Sequence, residues 1–201
     1  MFSRLHHIAY RCRDAQRTVD FYTKVVGLKY VAGLVPPENS RPSWPLNEPG
    51  QPARKVVGEE SDSIHIFFEL GDGSYLAFFD VPGGGDDSQD PTPWWVKHIA
   101  FEAPDLKTLA DAKKRLEAHG VQVLGPKDHD FCQSIYFMDP DGHRLEITVR
   151  TEEPDTWEQL AAEAPKELAK WNELKRRKYG PAPAAKDKIP AMPADSTIAP
   201  A

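Results

Sequence analysis

The sequence predicts an α+β fold built from two βαβββ modules and followed by a helix. Three observations predict it. A segment occurs twice: His7-Ile8-Ala9-Tyr10 with Asp14 further on, and His98-Ile99-Ala100-Phe101 with Asp105 at the same spacing. Each copy then shows apolar residues at helical spacing that stop at a glycine, Gly27 or near Gly120. Each copy closes on two apolar strands around an Asp-Gly turn, Asp72-Gly73 or Asp141-Gly142.

The first module, residues 1–82, opens with a strand over 5–12, where apolar and β-branched or aromatic positions alternate. Asp14 is an N-cap. Val19, Phe21, Tyr22, Val25 and Val26 form the apolar face of the helix that follows, and Gly27 ends it. Val31–Val35 reads as a second strand. Residues 36–54 hold six prolines and read as a loop. Ile64–Leu70 and Tyr75–Phe79 form a hairpin. Residues 83–93, with Gly83-Gly84-Gly85, are a linker.

The second module, residues 94–150, repeats the order more compactly. Val96–Phe101 is a strand, and Asp105 caps a helix with Leu106, Leu109, Ala110 and Leu116 on its apolar face. Val121–Leu124, Ser134–Met138 and Arg144–Val149 are the remaining strands. Residues 151–179 form a C-terminal helix, with Trp157, Leu160, Ala161, Ala164, Leu168, Trp171 and Leu174 at helical spacing. Pro165 should bend or interrupt it, and its apolar face should pack on the sheets or on a second subunit. Residues 180–201, rich in Pro, Ala and Lys, read as a flexible tail.

The chain has 201 residues and a net charge of -6. That acidic balance gives no electrostatic reason to expect nucleic acid or an anionic membrane as partner. No apolar run approaches a membrane span. Met1–Leu5 leads straight into a strand pattern without a signal-peptide core, and two cysteines make no disulfide framework, so the expected compartment is the cytoplasm.

The repeat has a chemical consequence. One histidine in a strand is ordinarily a hydrogen-bonded core or edge residue. His7 and His98 stand at the same place in both modules, as two ligands related by pseudo-symmetry would. His6 should point to the opposite, solvent side. Superposing the hairpin turns sets Glu146 opposite Ala77. Glu146 lies between Leu145 and Ile147 and should face inward, where an unpaired carboxylate is costly and a cation removes the cost. Glu146 alone is equally compatible with an Arg or Lys partner; together with His7 and His98 it favours a ligand role. Two imidazoles and one carboxylate leave coordination positions open for substrate and oxygen and suit Fe(II), while Mn(II) or Zn(II) could use the same ligands.

The pattern His7, Asp14, Phe21-Tyr22, Gly27, and the run Tyr136-Phe137-Met138-Asp139-Pro140-Asp141-Gly142-His143-Arg144-Leu145-Glu146, resemble the vicinal oxygen chelate superfamily. This is the group of glyoxalases, bleomycin-resistance proteins and type I extradiol dioxygenases, and the resemblance covers about residues 4–150. It implies paired βαβββ modules forming a half-open barrel around a metal held by His7, His98 and Glu146. Glyoxalase I carries a glutamate where this chain has Ala77, which argues against that branch. Extradiol dioxygenases have a small residue there, use Fe(II), and carry a tyrosine matching Tyr136, which hydrogen-bonds a catecholate oxygen. Related thiol transferases carry that tyrosine too. The acid/base histidine of the extradiol enzymes falls at about Ser74, so that role passes to His65 or His129, either of which a plain structural histidine also explains. His119 reads as a helix-end dipole partner and His143 as exposed.

The expected function is therefore an Fe(II)-dependent ring-cleaving dioxygenase that takes a catechol-type aromatic diol and O2. The alternatives are a Mn(II)-dependent thiol transferase of the fosfomycin-resistance type, a glyoxalase-like lyase, or a non-catalytic aromatic-ligand binder. Phe67, Phe79, Trp94 and Trp95 could line a pocket, with core packing the simpler reading for most of them. A homodimer is expected, because two-module chains leave sheet edges and faces to cover. The sequence leaves open whether His7 and His98 meet within one chain or across two.

Overall fold

The amide and carboxylate chemistry of each βα turn fixes where the two modules begin. In the computed structural model, which describes residues 2–35, 63–81 and 92–180, Asp14 accepts from the backbone N–H of Arg17 at 2.7 Å. Asp105 accepts from that of Thr108 at 2.6 Å. Both are N-caps that satisfy otherwise orphaned helix donors.

The first module runs β1 (His7–Cys12), α1 (Ala15–Asp20) continuing as a π-helical turn (Phe21–Val26), β2 (Lys29–Leu34), β3 (Ile64–Glu69) and β4 (Tyr75–Asp80). Gly27, at φ +93°, ends the π turn, and the N–H groups of Gly27 and Leu28 both donate to the Tyr22 carbonyl. The second module runs β5 (Ile99–Glu102), α2 (Leu106–Ala118), β6 (Leu124–Asp128), β7 (Cys132–Met138) and β8 (Arg144–Arg150), and α3 (Thr156–Tyr179) follows. The strand orders, β1-β4-β3-β2 and β5-β8-β7-β6, are the same arrangement twice. In each, the first strand pairs parallel with the last and the other pairs are antiparallel. Both sheets are open, and neither closes on itself.

Alternation sorts each strand between two faces. Ile66, Phe68, Leu76 and Phe78 on one side, and Ile99, Ile135, Phe137, Leu145, Ile147 and Val149 on the other, meet Phe21, Tyr22, Leu109 and Leu116 in one continuous core. The helix-covered faces of the two modules therefore share their apolar interior.

Polar contacts lock the same junction. Asp139, with a side chain fully withdrawn from solvent, accepts from the Tyr22 hydroxyl at 2.9 Å, His143 Nδ1 at 2.8 Å, and the backbone N–H groups of Asp141 and His143 at 2.9 and 2.8 Å. Arg115 donates to the Val25 and Val26 carbonyls. Arg17 pairs with Asp141 at 2.6 Å. Burial pushes the Asp139 carboxyl up, but its bonds to His143 and Tyr22 outweigh that and hold it below 3.8.

Several expectations need correction. β5 starts at Ile99 because residues 94–96 form a turn. The edge strand is Leu124–Asp128 rather than Val121–Leu124: the Val121 N–H still closes the end of α2 on the Leu116 carbonyl, and Val123 packs on the core from a connection. On α2 the buried face is Leu109, Ala112 and Leu116, while Leu106 and Ala110 are exposed. His143 is not exposed but half-buried against Asp139. His119 does sit at the helix end, its Nδ1 2.8 Å from the Arg115 carbonyl. Pro165 does not interrupt α3, which runs as one helix past it. None of α3's residues is buried, so the carbonyl that proline leaves unpaired is open to water, and the helix does not pack on the sheets of its own chain. No helix among the described residues is long and apolar enough to cross a membrane. The 36–54 loop, residues 83–91 of the linker and the tail beyond Gly180 lie outside the described residues.

The Asp139 junction yields one expected outcome. Tyr22→Phe removes one of its four donors and should lower stability by about 1–3 kcal/mol, read from urea unfolding at neutral pH. Because the folded carboxyl titrates below its ordinary value, its contribution is complete above pH 3.8 and is lost as pH falls through the depressed folded value. Asp139→Asn should therefore show a shallower loss of stability below that pH than the parent, and an unchanged acid limb would refute the assignment.

Candidate metal centre

The faces opposite the shared core carry the histidines. On the second sheet, register sets Ala100, Glu146 and Tyr136 side by side across β5, β8 and β7, and His98 precedes β5. Alternation places the side chains of these residues on the uncovered face. His98 Nε2 lies 3.2 Å from Glu146 Oε2. His98 Nδ1 lies 3.0 Å from the Val96 carbonyl. That oxygen can only accept, so Nδ1 carries a proton, and Nε2 is the ring atom that faces Glu146. An imidazole held through Nδ1 in this way is oriented to ligate through Nε2.

Glu146 is 7% exposed. Its other oxygen accepts from the Tyr136 hydroxyl at 3.2 Å, and Tyr136 Oη lies 2.7 Å from His129 Nε2. Burial, with Glu146 adding to it, pushes the Tyr136 hydroxyl above its ordinary value of 10, so it stays protonated and serves as a donor. No lysine or arginine pairs with the Glu146 carboxylate among the described residues. The buried carboxylate and the imidazole Nε2 beside it are the donor types that hold a divalent cation.

Four of the six residues singled out in the sequence thus come together: His98, Glu146, Tyr136 and His129. The other two lie on the first sheet. His7 is exposed at the start of β1, its Nδ1 2.8 Å from His6 Nδ1. Its ring centroid is 6.2 Å from that of His65. His65 stacks on Phe79 at 3.6 Å and lies against Phe67. Desolvation, and then the neighbouring His7, lowers it to about 4, so it is neutral near pH 7 and a weak base. Among the described residues no three His, Cys, Asp or Glu side chains converge closely enough to hold a metal ion. The reason is architectural: the modules join through their helix-covered faces, so the face bearing His7 and the face bearing His98 and Glu146 lie on opposite sides of the joined core.

Two concavities flank Glu146 and Tyr136. One, of about 520 Å³, contains Glu146, Thr148, Arg150, Cys132 and Trp157. The other, of about 460 Å³, contains Trp94, Tyr136, Met138 and Arg144. Both are within the size range of small-ligand sites. Arg144 was not anticipated from the sequence. Its guanidinium lies 4.1 Å from the Tyr136 ring centroid and 5.7 Å from that of Trp94, and it donates to the Trp95 carbonyl at 2.8 Å. Its position two residues before Glu146 on one strand, hence on the same face, is the signal that could have found it. Phe79, Trp94 and Trp95 are exposed and Phe67 half-buried, so core packing does not account for them.

Comparison with known proteins agrees with this architecture. Residues 4–147 match the model of the Glyoxalase/Bleomycin resistance protein/Dioxygenase superfamily. The chain is 34% identical over 74 residues to biphenyl-2,3-diol 1,2-dioxygenase 3 of Rhodococcus globerulus, a stretch that is 37% of this chain and 39% of that enzyme. It is 29% identical over 148 residues to lactoylglutathione lyase of Pseudomonas aeruginosa, covering 71% of this chain and 80% of the lyase. Among solved structures, the glyoxylase/bleomycin resistance protein/dioxygenase domain from Frankia sp. EAN1pec superposes with a TM-score of 0.54 at 18% identity, over 75% of this chain and 99% of that one. On its family match and its fold, the chain belongs to the glyoxalase/bleomycin resistance/dioxygenase superfamily.

Proposed function

We propose that this protein is a metal-dependent ring-cleaving extradiol dioxygenase acting on a catechol-type aromatic diol with O2. The metal is held by His98 and Glu146 of one copy and by His7 of a second copy. The observation that carries the reading is the His98–Glu146 pair, imidazole oriented through Nδ1 and carboxylate buried, with a single hydroxyl as the carboxylate's only other partner among the described residues. The donor set, two neutral imidazoles and a carboxylate, suits Fe(II), with Mn(II) and Zn(II) as competitors. Ala77, at the position matching Glu146, adds no fourth ligand, which favours open coordination. The match to a lyase supports an isomerase reading by coverage, but Ala77 removes the carboxylate that chemistry uses.

His98 and Glu146 of one copy with His7 of a second would hold Fe(II), which would supply Lewis acidity toward a diol and redox chemistry toward dioxygen. The chain's own groups do the rest. Tyr136 Oη, released from Glu146 when the carboxylate is engaged, holds a proton against one diol oxygen, and His129 Nε2 stands behind it to take up the proton the diol gives off. Trp94 and Arg144 offer a flat, cationic wall for the ring. His65, beside His7, reaches the shared centre from the second copy's side. A reducing compartment, which two unpaired cysteines suit, would keep the iron ferrous.

Oxygen uptake by the reduced, Fe(II)-loaded protein with a panel of catechols should give a yellow ring-fission product. No uptake with any of them, combined with thiol consumption in the presence of an epoxide and Mn(II), would shift the reading to a transferase. Tyr136→Phe and His129→Ala should each lower kcat by about 10²–10⁴ while metal content stays intact. For the shared ligand set, His7→Ala and Glu146→Gln should each lose metal, and co-refolding the two should restore part of it, because a mixed dimer regains one complete set. A mixture that stays metal-free would place all three ligands within one chain.

A further inference from the structure

We infer that α3 is a dimerisation helix, pairing antiparallel with α3 of a second copy of this chain. The inference stands on the helix itself and needs no metal. α3 lies outside the segment that matches the family model. It leaves the body at Trp157, whose indole N–H donates to Glu152 and whose ring packs on Phe131. Beyond that point Leu160, Leu168, Trp171 and Leu174 are all exposed, between 40% and 60%. With Trp157 and Ala164 they form one stripe at helical spacing, about 26 Å long, on a 24-residue helix. A stripe carrying two tryptophans and three leucines, open to water along its whole length, marks an interaction surface.

The charges name the occupant. Every charged residue from Glu152 to Glu163 is acidic, and six of the eight from Lys166 to Lys178 are basic. A parallel partner would set acid on acid and base on base. An antiparallel copy sets the acidic start of each helix against the basic end of the other. The apolar residues obey the same two-fold: with Ala164 opposite Leu168, Leu160 meets Trp171 and Trp157 meets Leu174, so each large side chain has a counterpart. A membrane surface fits less well, because helices that lie on lipid keep acids off their polar face, whereas α3 carries Glu158, Glu163, Glu167 and Glu173.

Cross-linking tests the orientation. In a full-length Cys132→Ser background, which leaves only the buried Cys12, Leu160→Cys and Trp171→Cys proteins are mixed and oxidised. The antiparallel pair predicts a disulfide between the two variants on mixing and little within either alone, because like positions stand about 16 Å apart along the axes. Each variant linking to itself as readily as to the other overturns the inference. Sedimentation of Arg176→Glu/Arg177→Glu/Lys178→Glu, whose changes are all on exposed side chains, should show the dissociation constant raised about tenfold or more. Adding Glu153→Lys, Asp155→Lys and Glu158→Lys, all on exposed side chains, should restore pairing. Unchanged association in the charge-reversed protein, or co-sedimentation of the parent with phosphatidylglycerol vesicles, also overturns it. Metal content of the same variants separates this outcome from the shared-ligand reading, since a metal-loaded dimer whose association ignores α3 refutes only the helix pairing.

Discussion

The Asp139 carboxylate is the constraint on which the rest depends. It sits in the Asp-Pro-Asp-Gly turn between β7 and β8, stripped of water, and is tolerable there only because four donors surround it. Three come from its own turn and fix the entry to β8. The fourth, Tyr22, comes from the π-helical segment of the other module. One buried charge thus shapes the strand that carries Glu146 and fastens that strand's module to its neighbour. Arg17–Asp141 and Arg115 on the Val25 and Val26 carbonyls reinforce the same seam.

That seam decides which faces are left over. Joining the modules through their helices gives a core with two sheets around it, each showing its outer face to solvent. The residues best suited to chemistry lie on those outer faces, His7 and His65 on one sheet and His98, Glu146 and Tyr136 on the other. Pseudo-symmetry in the sequence relates His7 to His98 without bringing them together. The three proposed ligands therefore do not converge among the described residues.

Much of the fold was legible because the repeat shows each βαβββ unit twice, so that caps, helix stops and hairpin turns corroborate one another. β6 escaped because it is an exposed edge: Leu124-Gly125-Pro126-Lys127-Asp128 has no alternation to read. Val121 and Val123 look like strand residues but owe their burial to the exit from α2. The apolar spacing of α3 was readable, yet spacing states that a stripe exists and not what lies against it. At the site, alternation correctly groups Tyr136, Glu146 and Arg144 on one face. It cannot say that two such faces point apart, since that follows from the Tyr22–Asp139 contact across more than a hundred residues. His143 was misjudged for the same reason: a turn histidine looks solvated until its carboxylate partner is seen to be buried.

The arginine stacked on Tyr136 has a mechanical consequence. Its guanidinium holds the Trp95 carbonyl, one residue from the Val96 carbonyl that orients His98. Tyr136 returns the circuit to Glu146, and Glu146 to His98. The turn at 94–96 therefore carries a flat aromatic ring, Trp94, at one end and the carbonyl that holds the His98 imidazole at the other. The aromatic wall of the cleft and the carbonyl that orients the imidazole thus share one short stretch of backbone, and the cleft's width and the imidazole's orientation are set by the same three residues.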